Sequence, residues 1–170
     1  MPKNSKITIS GIFDSSKNLS EMINFLEGQG ISEDDISILM SEETQKNKFS
    51  VDTKTKASEE AIKGLATGGL LGAVIGGLTL IGAVIIPGLG LVVAGPIIGV
   101  MTGMTTGGII GSIIGALVGL GIPEHEAKFY ENAVKEKGNI LLVAHINTDL
   151  KNEIKKQFDR YGAFHIATQQ

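Results

Sequence analysis

"IPGLGLVVAGP", residues 86–96, is the stretch on which the fold turns. It lies inside sixty consecutive residues, 64–123, that contain no Asp, Glu, Lys, Arg, His or aromatic side chain. Every charged residue lies in 1–63 or 124–170. Pro87, followed by Gly88 and Gly90, marks a turn, and a residue that precedes proline is biased away from helix. Pro96, after "LVVAG", suits the first turn of a new helix. The stretch then reads as the bend between two helical arms, 64–86 and 97–121. At 1.5 Å per residue the arms are about 34 Å and 37 Å long, enough for either to cross a ~30 Å hydrocarbon core.

The arms carry glycine at intervals of four. The first has Gly64, Gly68, Gly72 and Gly76; the second series begins at Gly95, just ahead of its arm, and runs through Gly99, Gly103, Gly107, Gly111, Gly115 and Gly119. Glycine inside a helix costs roughly 1 kcal/mol against alanine, so the pattern needs a reason. Close helix packing supplies one, because small residues every fourth position let backbones approach where apolar burial gives no drive. An interval of four overshoots a 3.6-residue turn, so the stripe winds around the helix and exceeds what one straight partner can follow. The pattern predicts a helical hairpin that also self-associates.

Working outward, the flanks alternate strand and helix. "KITISGIF" (6–13) reads as a half-buried strand, "SSKNLSEMINFLEGQG" (15–30) as a helix with a glycine stop, and "DISILM" (35–40) as a second strand. Residues 41–57 are polar and unpatterned and read as an exposed tether, with Ser58, Glu59 and Glu60 starting the next helix. After the neutral region comes a helix from Pro123 to Gly138. "NILLVAHI" (139–146) follows as a nearly continuous apolar strand of the kind found in a sheet centre. A last helix over 147–162 and an edge strand, "AFHIATQ" (163–169), end the chain. Two βαβ units sharing one sheet make a split ferredoxin-like α+β domain, since neither half alone has enough strands. The divisions are 1–57, the first half with its linker; 58–122, the glycine-rich hairpin; and 123–170, the second half.

Composition narrows the chemistry. The net charge of −3 gives no drive toward nucleic acid, and the absence of cysteine removes disulfides and thiolate chemistry. The N-terminus lacks the apolar core of a secretory signal, which places the flanking domain in the cytoplasm. Lys54, Lys56 and Lys63 before the insert agree with that side. No Gly-Lys-Ser/Thr and no G-x-G-x-x-G occurs, so the glycines do not form a phosphate loop. His125, His145 and His165 are the only imidazoles; "EHE" (124–126) is the single metal-like cluster, and neighbouring helical positions point different ways. Lys151, Lys155, Lys156 and Arg160 give the last helix a modest basic face. No catalytic, cofactor-binding or metal-binding residue is assigned, and no cofactor is expected.

One resemblance joins these features. "GIFDS", "DISIL", "ATGGLLGAVIGGL", "IPGLGLVVAGPI" and above all "GIPEHEAKFYENAVKEKGNILLVAH" resemble bacterial general-stress proteins. These are the YflT-type heat-induced and low-temperature-induced proteins with a glycine-rich hydrophobic insert, and the likeness covers about residues 5–146. It implies a stress-responsive bacterial protein, often membrane-associated, and supplies no catalytic residues. The expectation is therefore a non-enzymatic protein with the lipid bilayer and further copies of itself as partners. The α+β domain would sit on the cytoplasmic side of the bacterial inner membrane. The alternatives are a soluble assembly that buries the hairpins in an oligomeric particle, and a module that couples a small ligand to the hairpin.

Overall fold

Alternation in Lys6–Phe13 forms strand β1, and Ser15 then stops extension by capping a helix. Its hydroxyl accepts from the Asn18 amide at 3.4 Å, and α1 (Ser16–Gly28) buries Leu19, Met22, Ile23 and Leu26. The computed structural model describes residues 5–49, 84–86, 88–95 and 112–169. Over these the elements are β2 (Ile36–Ser41), α2 (Glu42–Phe49), β3 (Val84–Ile86), β4 (Leu91–Ala94), α3 (Ile113–Gly119), α4 (Glu124–Lys135), β5 (Ile140–Asn147), α5 (Lys151–Arg160) and β6 (Phe164–Gln169). The protein is a mixed α+β fold with one six-stranded sheet in the order β3-β4-β2-β5-β1-β6, every neighbouring pair antiparallel.

The two ends of the chain meet in this sheet. β1 pairs with β5 along its whole length, from Lys6 opposite Asn147 to Phe13 opposite Ile140. β5 is central and buried on both faces, as its unbroken apolar run predicts. β6 is an edge strand, also as expected.

β1 departs from the half-buried expectation: seven of its eight residues are buried. The cause is a second helical layer. On one face Ile7, Ile9, Phe13, Ile38 and Leu142 pack beneath α1 and α5, whose Phe158 fills the centre. On the other, Ile12, Leu39, Leu141 and Val143 pack beneath α3 and α4. Gly11 has no side chain because the Phe158 ring lies 2.7 Å from where its Cβ would stand. The layers are helix, sheet, helix.

Three expectations for the middle of the chain are corrected. Residues 42–49 are a helix rather than a tether. Ser41 Oγ accepts from the Thr44 amide at 3.0 Å, Glu42 and Glu43 occupy the first turn and Lys46 and Lys48 the last, and Phe49 is buried.

Residues 84–86 and 91–94, expected to close one helical arm and lead to the next, are the two strands of a β-hairpin. β4 pairs with β2, Leu39 opposite Val93, and β3 pairs with β4, Val84 opposite Val93. The Leu89 amide donates to the Ile86 carbonyl across the turn at 3.2 Å, with Gly88 at φ +83 and Gly90 at φ +64. Gly88 and Gly90 do lie in a turn, but the β-branched runs on either side, "VII" and "LVV", favour strands and override the helical setting.

The arm 97–121 is likewise not one continuous rod. Ser112 is extended (φ −91, ψ 121) and caps α3 through its hydroxyl. α3 ends in a Schellman arrangement around Gly121, whose φ is +86, with the Ile122 amide on the Leu117 carbonyl. Pro123 then starts α4, as predicted.

Candidate functional site

Of the predicted packing glycines, three fall among the described residues. Gly95 is not a helical residue: it leaves β4 at φ +82, and a Cβ there would lie 2.0 Å from the Ile36 carbonyl oxygen. It therefore serves the close approach of β4 to β2. Gly115 and Gly119 are in α3, on its outer side, whereas Ile113, Ala116 and Leu117 face the sheet. Gly64, Gly68, Gly72, Gly76, Gly99, Gly103, Gly107 and Gly111 lie outside the described residues, as do Pro87, Pro96 and the helix start at 58–60.

The points where the neutral segments join the domain are informative. Val84, where the chain enters from segment 50–83, pairs with Val93. Ala94, where it leaves toward segment 96–111, pairs with Ile38. These positions are on adjacent strands at the same end of the sheet. The turn at Gly88–Gly90 is at the opposite end, where its Gly90 carbonyl accepts from the Glu42 amide at 2.8 Å. The acidic turn Glu33–Asp35 precedes Ile36 at the same end as the two junctions, with Asp35 paired to Lys6 at 2.6 Å.

A second constellation lies where α4 crosses the β6 edge. Glu126, Phe129 and Tyr130 share one helical face through i, i+3, i+4 spacing. The Tyr130 hydroxyl is 2.9 Å from Ser10 Oγ and donates to the His165 carbonyl at 3.1 Å. His165 Nε2 is 2.6 Å from Glu126 Oε2; an ionised carboxylate only accepts, so Nε2 carries the hydrogen. The His165 ring stacks on Phe129 at a centroid distance of 3.7 Å and meets Tyr130 edge-on. His165 adopts φ 51, the single non-glycine residue with positive φ among those described. It stands at a bulge, since Ser10 pairs with Ala167 but Ile12 with Phe164, leaving His165 and Ile166 together opposite Gly11.

Burial pushes the Tyr130 phenol up to about 12, with the Glu126 charge adding to the rise and the Ser10 hydrogen bond opposing it. The phenol is therefore a neutral donor at ordinary pH, and the partner of Ser10 is this phenol rather than a base. The arrangement positions a strand; it does not activate a nucleophile. His125 Nε2 is 3.6 Å from the other Glu126 oxygen, closer than adjacent helical positions suggest. His145 lies opposite Thr8, away from the bulge along β1. Among the described residues no group of three or more His, Asp or Glu side chains is arranged to hold a metal. Sequence reading singled out the histidines but missed Ser10 and Tyr130, for which the spacing of Glu126, Phe129 and Tyr130 is the one local signal.

A polar cleft of about 310 Å³ opens between α2 and the end of α4, lined among others by Ser41, Thr44, Lys48, Lys135 and Lys137. Lys48 is held by the Asp14 carbonyl at 2.6 Å and Lys135 by Glu131 at 3.0 Å, so two of its ammonium groups are already engaged. Comparison with known proteins finds no match to a protein-family model, a curated protein or a solved structure.

Proposed function

We propose that this chain is a non-enzymatic, membrane-associated stress-response protein that self-associates through the glycine-striped segments 64–83 and 96–111. The observation that carries the reading is the shared root of those segments: Val84 and Ala94 lie on adjacent strands at one end of one sheet. Roots on adjacent strands support the packing of neutral, glycine-rich stretches on each other and on other copies. We read the core as ferredoxin-like, supported by the units β1-α1-β2 and β5-α5-β6 and by the partial order β2-β5-β1-β6. The resemblance to glycine-rich general-stress proteins supports the physiological setting.

The sequence leaves open whether the neutral region spans the bilayer or enters one leaflet, and we favour the second. A two-pass anchor needs its bend on the far side of the bilayer, whereas Gly88–Gly90 belongs to the domain's own β-hairpin. Contact is by entry from one side. Among the described residues no helix is long and apolar enough to cross a membrane. A second reading, a soluble particle with the neutral segments inside, is favoured by the acidic turn Glu33–Asp35 at the root end, which repels an anionic lipid surface.

Membrane fractionation with an alkaline carbonate wash separates the two. Retention in the pellet supports lipid association, and recovery as a large soluble particle supports the second reading. A soluble monomer overturns both. In detergent, Gly107→Leu with Gly111→Leu is expected to lower the assembly size by light scattering; an unchanged size removes the stripe from the account.

A further inference from the structure

We propose that β6 is a strap: an edge strand held on β1 by a latch on α4, able to release while the other five strands stay folded. The inference does not depend on the function proposed above. Its first support is the strand's exposed place at the edge of the sheet. β6 is the least buried of the long strands, with Phe164 and His165 exposed and Ile166–Gln169 only half-buried. Its ladder to β1 is broken by the bulge opposite Gly11, which leaves the extra residue outside regular pairing.

The second support is what holds the bulge. A histidine at φ 51 is in a sparsely populated conformation that persists only when its surroundings over-determine it. Contacts from α4 do so. Tyr130 donates to the His165 carbonyl, the Glu126 carboxylate accepts from the imidazole, and Phe129 lies beneath the ring. α4 is anchored independently of β6, through Ala127, Ala133 and Val134 in the core against β2 and β5. The helix is thus a fixed post and β6 the part that moves. Release would bare the hydrogen-bonding edge of β1 at Thr8–Ser10, an apolar central strand open to pairing with another strand.

Native-state hydrogen exchange on the full chain tests this with two variants. Glu126→Ala removes the acceptor, and His165→Gly removes the imidazole while accommodating the positive φ, so its backbone is not strained. In both, amides of 166–169 are expected to exchange about tenfold faster than in the parent protein, while those of β5 and α1 change less than about twofold. Unchanged exchange in β6 overturns the proposal. So does acceleration of β6 and β5 by the same factor, which would mean that the strand opens only with the whole domain.

Discussion

Two apolar stretches of this chain, "NILLVAHI" (139–146) and "IPGLGLVVAG" (86–95), are rich in the same aliphatic residues, yet only the first reads as a strand from sequence. Both supply strands to one sheet: β5 at its centre and β4 with β3 at its edge. The difference lies in their neighbours. β5 is bounded by charged helices and a glycine stop, so its short apolar run stands out. The hairpin is embedded in sixty neutral residues, where a continuous apolar background hides the local β-branched runs. Chemical context misdirects the reading, while Pro-Gly and Val-Val carry the correct one.

The largest effect expected from breaking this comparison is at Gly95. A methyl group there meets the Ile36 carbonyl at 2.0 Å in a backbone conformation of φ +82. Gly95→Ala is expected to cost about 4 kcal/mol or more in urea unfolding, among the exceptional single-residue losses. A helical residue at this position would instead gain stability from the same change.

Leu91 of the hairpin and Leu141 of β5 are both fully buried in the same cluster. Leu91→Ala and Leu141→Ala are each expected to cost about 2–5 kcal/mol. A negligible effect at Leu91 beside a large one at Leu141 would detach the hairpin from the core.

The α4 side of the sheet has its own signature. Because burial holds the Tyr130 phenol at about 12, the unfolded chain ionises first as pH rises. Stability fully present below pH ~10 is lost progressively toward pH ~12, by about 2–3 kcal/mol from this group. Tyr130→Phe is expected to lower stability at neutral pH, through the lost partners of Ser10 and His165, and to flatten this part of the alkaline profile. Ser112→Ala gives the smallest effect, about 1 kcal/mol, by removing the cap that starts α3.

Much of the fold was legible residue by residue. Ser15 and Gly30 bracket α1, Pro123 opens α4, and the central position of β5 followed from its uninterrupted apolar run. α2 was hidden because its sequence, "EETQKNKF", has almost no apolar face; its helix rests on the Ser41 cap, the charge order and the buried Thr44 and Phe49. The second helical layer was hidden because β1 alternates like a one-sided strand, though its Ser10 and Thr8 are in fact buried and satisfied by Tyr130 and the Leu120 carbonyl. The α4–β6 contact was illegible for a different reason. His165 reaches Glu126 only through a bulge, and a bulge shifts register without any glycine to announce it.

The central claim is that residues 84–86 and 91–94 belong to the domain's sheet, so that both neutral segments leave from one end of it. Methyl-labelled nuclear magnetic resonance measures this directly, because Val93 lies opposite Leu39 only in the sheet. The account predicts strong Leu39–Val93 contacts and extended backbone shifts over 84–86 and 91–94. Helical shifts over those residues, with no contact to Leu39, would contradict it.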